Sequence, residues 1–161
     1  MLKIKDSTAK ITFLTEKGYQ KLNQEYDFLR NVKRQEIAQE LREVVDDNDL
    51  VENDEYLLIK NEQALVEGRI NELEILLSRV EIIKPGNDLG KVRLGSTVTI
   101  QEGSLPSETF TIVGTVEANS KNGMISDESP LGKSLLKHQV GDLIEVKAPG
   151  GISTYKILSV T

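Results

Sequence analysis

The chain has 161 residues, a formal net charge of −6 and no cysteine, which suits one domain or two small ones and excludes a disulfide scaffold, a thiolate metal site and a cysteine nucleophile. Its single histidine, His138, excludes a metal site built from several histidines, and any catalytic dyad or triad would have to use it. No apolar run approaches the roughly 20 residues of a membrane span, and the first ten residues lack the apolar stretch of a secretory signal, so we expect no membrane partner and a cytoplasmic location.

Residues that break helices divide the sequence near residue 85. All four prolines and 10 of the 12 glycines follow residue 84. We therefore place a linker at Pro85–Asp88 and predict two domains, residues 1–84 and residues 85–161. The first carries a net charge of −5 and the second a net charge of −1.

The spacing of apolar residues in the first domain predicts an antiparallel coiled-coil hairpin. Thr15 is a candidate N-cap, and the apolar stripe that follows it has a slip near Val32. The second stripe keeps the 4-3 spacing of a heptad seam, with Gln63 as a polar register residue. The stripes are Leu22, Tyr26, Leu29, Ile37, Leu41 and Val44, and then Ile59, Gln63, Val66, Ile70, Leu73, Leu77 and Val80. A first helix of about 30 residues would be ~45 Å long, which places the turn of the hairpin far from the second domain.

That turn is strongly acidic. Between Glu43 and Glu55 there are seven carboxylates and no basic residue, so this window carries −7 and the rest of the chain about +1. One interpretation is a solvated loop whose acids favour the dipole of the second helix. The other is a metal-binding tip, because Asp49 and Glu52 lie one helical turn apart. Two carboxylates suit Mg²⁺ when waters, phosphates or another protein complete its coordination.

The second domain is predicted to be β-rich with one short helix. Turn residues bound several alternating segments, Gly114 is a candidate bulge, and Pro130 precedes a short apolar helix. The predicted strands are Arg93–Gln101, Thr109–Glu117, Met124–Ser126, Leu143–Ala148 and Ile152–Val160. The α+β class, a helical hairpin followed by a small β-rich domain with few large side chains, favours a binding module over an enzyme.

Ordered motifs across both domains resemble the GreA/GreB family of bacterial transcript cleavage factors. Asn48–Tyr56 reads N-D-L-V-E-N-D-E-Y and is similar to the family's tip signature G-D-L-x-E-N-A-E-Y. Val32–Ile37 is similar to V-R-R-P-E-I, and Glu67–Ile70 matches E-G-R-I. Motifs of the second domain follow in the family's order, namely Leu94–Val98, Ile112–Gly114, Ile125–Ser126 with Ser129–Leu131, Val140–Asp142 and Pro149–Gly151. The resemblance extends over about residues 12–160.

The resemblance implies a factor that acts on RNA polymerase and has neither catalysis nor a cofactor of its own. The FKBP-like second domain would dock at the rim of the secondary channel through Ser129, Pro130 and Leu131. The hairpin would pass down the channel of a backtracked complex. At its tip, Asp49 and Glu52 would help hold the polymerase's second Mg²⁺ and orient the attacking water, so that the polymerase itself cuts the RNA.

Further roles concern the shape of the tip, which the resemblance implies, and contact with RNA, which the positions of basic residues suggest. Asn53 and Tyr56 match positions that shape the tip. Arg42 and Lys60 are candidate contacts to the 3′ end of the backtracked RNA, as part of a basic stripe that also includes Lys33 and Arg34; the alternative is that such charges are solvated. We expect the free protein to be a monomer.

The tip departs from the family pattern in ways that leave an alternative open. Asn48 replaces a usual glycine, Asp54 a usual alanine and Val45 a common arginine, and Asp46–Asp47 adds two charges. Extra carboxylates near a metal repel one another and could hold it away from the reactive position. The alternative is therefore an Asp-rich family member that inhibits the polymerase through the same channel.

Two other classes are disfavoured. A prolyl isomerase needs an aromatic pocket, whereas residues 85–161 contain only the aromatics Phe110 and Tyr155. A prefoldin-like holding hairpin would have apolar tips. For His138 we predict a surface or capping position, since no nearby serine or aspartate has the spacing of a triad.

Overall fold

The computed structural model describes residues 10–47, 54–84 and 90–161, and its chain forms two compact units. The described residues of Met1–Gly18 and Val80–Thr161 make up one unit, and Tyr19–Arg79 makes up the other. The first is β-rich and the second is helical, which confirms the predicted α+β class. The predicted linker, Pro85–Asp88, lies outside the described residues.

The elements alternate little along the chain, with the long helices first and most strands after them. They are β1 (Thr12–Leu14), α1 (Glu16–Phe28), a π-helical segment (Leu29–Lys33), α2 (Arg34–Asp47), α3 (Asp54–Leu77), β2 (Val80–Ile82), β3 (Thr97–Glu102), β4 (Glu108–Val113), a 3-10 turn (Ser120–Asn122), β5 (Met124–Ser126), α4 (Pro130–Leu135), β6 (Leu143–Ala148) and β7 (Gly151–Val160).

The first helix of the hairpin begins at the predicted cap. The hydroxyl oxygen of Thr15 accepts a hydrogen bond from the Gly18 backbone N–H at 3.0 Å, which satisfies one of the free donors of the first helical turn. Helical structure then continues without interruption from Glu16 to Asp47. The sequence slip near Val32 falls inside the π-helical segment. A π-helical turn holds one residue more than an α-helical turn, so both halves of the apolar stripe can face α3.

The heptad seam of α3 packs as its spacing predicts over most of its length. Ile59, Ile70 and Leu73 are buried, and Ile37 and Val44 of α2 are buried in a cluster with Ile59. The prediction is wrong for one member of the seam. Val80 lies in β2, because α3 ends at Leu77 and the chain enters an extended segment that pairs in parallel with β1.

A five-stranded sheet in the order β5-β4-β3-β7-β6 forms the second unit's main layer. All its neighbours are antiparallel except β4 and β5, which are parallel. Its inner face and α4 enclose a core of buried side chains. They are Val92, Val98, Ile100, Ile112, Leu135, Ile144, Val146 and Ile157. The turn between β6 and β7 is the predicted one, since Ala148 pairs with Gly151 across Pro149–Gly150.

Two strand predictions needed correction. The predicted strand Arg93–Gln101 starts only at Thr97, because Ser96 donates its backbone N–H to the Arg93 carbonyl at 3.0 Å and closes a turn. The predicted strand Thr109–Glu117 ends at Val113. Gly114 is not a bulge; the register shift lies at Thr99/Ile100 instead.

A close approach of two backbones explains why position 114 is a glycine. A Cβ built on Gly114 would lie 2.1 Å from the carbonyl oxygen of Phe13 in β1. Only glycine allows the backbone of β1 to approach so closely. The residue therefore leaves the space in which the backbone of the N-terminal strand lies beside the end of β4.

Candidate functional site

The tip carboxylates that the resemblance predicts lie between α2 and α3. Asp49, Glu52 and Asn53 lie outside the described residues, so their roles stay predictions. The described helices end at Asp47 and resume at Asp54. The geometry that the structure gives is therefore that of the two helix ends which carry the tip.

Tyr56, the fourth residue predicted for the tip, anchors the start of α3. Its side chain is half-buried and packs against the cluster of Ile37, Val44 and Ile59. This contact holds the first turn of α3 on α2, which agrees with a shaping role rather than a chemical one. The acids beside it differ, since the side chains of Asp46 and Asp54 are exposed to water.

Exposed carboxylates at both helix ends create a negative potential that attracts divalent cations. Within the described ranges, which omit residues 48–53, no group of three or more acidic or histidine side chains could hold a metal ion. Any Mg²⁺ at this end would therefore depend on residues of the tip itself or on a partner.

The two residues predicted to contact RNA lie on the outer surfaces of the helices. Arg42 is exposed and forms no ion pair with another described residue. Lys60 is exposed and donates from Nζ to Gln63 Oε1 at 2.7 Å. Neither charge is neutralised by a neighbouring carboxylate in the described structure, so both are available to a phosphate.

The other two cations of the predicted stripe are already paired across the helices. Lys33 Nζ lies 2.7 Å from Glu62 Oε1, and Arg34 donates to both carboxylate oxygens of Glu67, each at 2.7 Å. The Arg34 guanidinium lowers the pKa of Glu67, and the Glu62 carboxylate raises the pKa of Lys33. We therefore regard Lys33 and Arg34 as structural.

A third cross-helix pair lies nearer the base of the hairpin. Arg69 donates to Glu25 Oε1 at 2.7 Å and to Oε2 at 3.0 Å, and this hydrogen bonding lowers the pKa of Glu25. We name the pairs Glu25–Arg69, Lys33–Glu62 and Arg34–Glu67 the cross-helix ladder. Glu25 pairs with residue 69, whereas Lys33 and Arg34, further along the first helix, pair with residues 62 and 67. Lower numbers on one helix thus meet higher numbers on the other, so the ladder establishes an antiparallel pair and fixes its register.

Ser129, Pro130 and Leu131, which we name the docking loop, open α4. Pro130 is exposed and occupies the first helical turn, where proline is favoured. Ser129 is the N-cap; its Oγ accepts from the Gly132 N–H at 3.0 Å and donates to the Ser126 carbonyl at 2.6 Å. Leu131 is half-buried against the sheet core. Of the three, Pro130 presents the most side chain to a partner.

Sequence reasoning missed the contacts that attach the N-terminal segment to the β-rich unit. The carboxylate of Glu117 accepts hydrogen bonds from the backbone and side chain of Thr15. Lys10 forms an ion pair with Glu128, the residue before the docking loop. The partners lie more than a hundred residues apart in the chain, so no local pattern could have indicated them.

Two features bear on the enzyme classes that the sequence disfavours, namely the surroundings of His138 and the aromatic lining of a surface hollow. His138 is half-exposed, and its buried Nδ1 has no hydrogen-bond partner within the described residues. A surface hollow of about 50 Å³ near the end of β3 is lined by one aromatic side chain, Tyr155, together with Glu102, Glu108 and aliphatic neighbours. In the part of the chain that the structure describes, no helix is long and apolar enough to span a bilayer.

Comparisons with known proteins identify the family. The protein-family model for the N-terminal domain of transcription elongation factors matches residues 12–82, and the family model for the GreA/GreB C-terminal domain matches residues 86–161. The transcription elongation factor GreA of Thermoanaerobacter pseudethanolicus is 43% identical over 154 residues, covering 94% of this chain and 98% of that protein. The GreA of Thermomicrobium roseum is 43% identical over 150 residues, covering 91% and 95%.

The crystal structure of GreA factor homolog 1 from Thermus thermophilus is 33% identical, covers 94% of this chain and 99% of that chain, and superposes with a TM-score of 0.44. Both halves of the sequence thus match the family's models, and the relatives match over nearly their full length. This chain belongs to the GreA/GreB family of transcription elongation factors.

Proposed function

We propose that this protein binds RNA polymerase at its secondary channel and stimulates the polymerase to cleave backtracked nascent RNA, thereby rescuing arrested elongation complexes. The protein is a factor and not the enzyme, since the bond is cut in the polymerase's own active centre. The hairpin function is assigned to residues 1–84 and docking to residues 85–161. This boundary falls between the stretches that the two family models match.

One observation carries the proposal. A helix that is continuous from Glu16 to Asp47 pairs with α3 and ends in the most acidic window of the chain. Thirty-two residues at ~1.5 Å each reach ~48 Å, which is enough to carry the acidic tip into a deep channel. The cross-helix ladder and the packing of Tyr56 make the hairpin a stiff carrier for it.

Within this proposal Asp49 and Glu52 hold the second Mg²⁺ together with the polymerase. Carboxylate oxygens are the ligands that Mg²⁺ prefers, and one or two of them suffice when a partner supplies the remainder. The ion, when bound, stabilises the charge that develops on the oxygens during RNA hydrolysis and helps to activate the attacking water. The tip residues orient that water, while Asn53 and Tyr56 keep the tip in shape.

Docking and RNA contact complete the proposal. Pro130, as the exposed member of the docking loop, contacts the channel rim, with Ser129 and Leu131 holding the loop in shape behind it. Arg42 and Lys60 attract the phosphates of the extruded RNA 3′ end. The free protein is proposed to be a cytoplasmic monomer, because the docking loop is assigned to the polymerase and needs no second copy of this chain. Sedimentation analysis tests the monomer.

An inhibitor remains the second candidate, and the exposed acids at the helix ends favour it. Asp46 and Asp54 lie in water beside the tip and could bind a metal in a non-productive position. The two functions predict opposite effects on the polymerase. A cleavage factor releases RNA from a backtracked complex, whereas an inhibitor slows both cleavage and extension.

The experiment is a backtracked elongation complex incubated with this protein and Mg²⁺, in parallel with an active complex supplied with nucleotides. We expect short 3′ RNA fragments from the first and unchanged extension in the second. Asp46→Asn should leave both results unchanged, and Glu145→Gln on the exposed face of β6 serves as a matched charge control. Slowed extension by wild type that Asp46→Asn relieves would replace the cleavage factor by the inhibitor.

A further inference from the structure

A clamp between Glu117 and the start of α1 is the strongest feature that the proposed function leaves unused. Glu117 lies in the turn after β4 and is half-buried. The Thr15 backbone N–H donates to its Oε2 at 2.6 Å, and the Thr15 hydroxyl donates to its Oε1 at 2.6 Å. Hydrogen bonds to a carboxylate are about twice as strong as neutral ones. The carboxylate also lies at the positive end of the helix dipole.

Gly18 completes the clamp by leaving room for it. A Cβ built on Gly18 would lie 2.0 Å from Glu117 Oε1, so any other residue would displace the carboxylate from its place. Glycine destabilises the helix in which it lies, so helix stability does not explain a glycine at position 18, whereas the space for the Glu117 carboxylate does. It is also the last residue of the β-rich unit, and Tyr19 begins the helical one. We name Thr15, Gly18 and Glu117 the N-terminal clamp.

We propose that Glu117 is a positioning residue for the tip: it fixes the first turn of α1 and thereby keeps the hairpin productive in the polymerase-bound protein. This inference rests on the proposed function. The helix that starts at the clamp runs uninterrupted to Asp47. A 5° change at its first turn would displace the far end of a ~48 Å helix by about 4 Å. A displacement of about 1 Å can cost a hundredfold in rate where reacting groups must be aligned.

The clamp predicts results for Gly18→Ala that helix propensity does not. Replacing glycine by alanine in a helix ordinarily stabilises it. Here the three atoms nearest to the new methyl group all belong to the flexible Glu117 side chain, so the methyl group pushes that side chain away. We therefore expect a folded protein whose clamp is open. In a Glu117→Ala background the same substitution should have no further effect on the clamp.

The test measures three quantities for wild type, Glu117→Ala, Glu117→Gln and Gly18→Ala, with Glu145→Ala as the exposed control. They are amide exchange at Thr15 in the free protein, affinity for polymerase by competition, and the cleavage rate at saturating factor. In Glu117→Ala and Gly18→Ala we expect Thr15 exchange to rise about tenfold or more and saturated cleavage to fall about tenfold or more. Polymerase affinity should stay within about twofold, as for a substitution outside an interface. Glu117→Gln, which keeps one acceptor oxygen, should lie between them and wild type.

Two outcomes would overturn the inference. One is a Glu117→Ala protein that cleaves at the wild-type rate when saturating. The other, for which the unfolding temperature of each variant is measured as well, is a parallel loss of affinity, cleavage and unfolding temperature, which a purely structural role would give. Failure of the proposed function is distinguishable, because wild type itself would then release no RNA.

Discussion

Two glycine-to-alanine substitutions should change stability in opposite directions, because one glycine faces a backbone and the other faces open space. A Cβ on Gly114 would lie 2.1 Å from the Phe13 carbonyl oxygen, whereas a Cβ on Gly68 meets no atom within 4 Å. At Gly114 the strand β1 must move by more than an ångström, an overpacking cost of about 1–3 kcal/mol. At Gly68, in the interior of α3, alanine should stabilise the helix by about 0.5–1 kcal/mol.

Differential scanning calorimetry measures both effects on the same chain. For a protein of this size 1 kcal/mol corresponds to about 2–4 °C in Tm. Gly114→Ala should therefore lower the transition of the β-rich unit by about 2–12 °C, and Gly68→Ala should raise that of the hairpin by about 1–4 °C. If the units unfold together, the single transition should move down for one variant and up for the other. Equal shifts of the same sign, or an unchanged Tm for Gly114→Ala, would refute the steric argument.

Three further predictions concern the charges and the docking loop. The pKa of Glu25 is lowered by Arg69, so the stabilisation by this pair is present above the ordinary carboxylate pKa and is lost as the pH falls below about 4. Arg69→Gln should therefore make the free energy of unfolding fall less steeply with decreasing pH. An unchanged dependence on pH would contradict the pairing. Arg42→Gln with Lys60→Gln should reduce the slope of log K against log salt concentration, for binding to backtracked complexes, by about 1.4, or roughly 0.7 for each lost phosphate contact; binding to polymerase lacking extruded RNA is the control. Pro130→Ala should weaken polymerase binding while circular dichroism stays unchanged, since the α4 cap does not involve its side chain; wild-type affinity would relocate the interface.

The hairpin was predictable because its signal is local and repeated. The spacing of Ile59, Ile70 and Leu73 already indicates the buried seam, and the break near Val32 marks the place where the π-helical segment occurs. The sequence does not say how a one-residue slip is absorbed. A loop, a kink or a wider helical turn would each produce the same pattern.

The β-rich unit was predicted in outline but not in its contacts. Strand β6 has its predicted bounds, whereas β1 and β2 were missed because each has three residues and their pairing joins distant parts of the chain. Gly114 was misassigned for the same reason. A glycine that admits a bulge and one that admits a neighbouring backbone look alike in sequence, and only the position of Phe13 distinguishes them.

The candidate site was reached mainly through the family resemblance. Composition located the acidic window, and the three-residue spacing of Asp49 and Glu52 allowed a shared metal site. Other carboxylates of the window have the same spacing, so the matching motif singled out these two. The roles of Ser129 and Glu117 needed the structure. The sequence does not distinguish a serine that caps a helix from one that lies free on the surface, and the hydrogen-bond partner of Glu117 lies 102 residues away.

The measurement that tests the central claim most directly is single-turnover RNA cleavage in a backtracked complex with saturating wild type, Asp49→Asn or Glu52→Gln. Each substitution keeps the shape of the side chain and removes its charge, so docking should be preserved. The account predicts a fall in the stimulated rate on the order of 10²-fold for each variant, as for the loss of a group that stabilises transition-state charge, with polymerase affinity unchanged. Cleavage at the wild-type rate by both variants, at equal occupancy of the polymerase, would contradict the claim that these tip carboxylates act at the second metal.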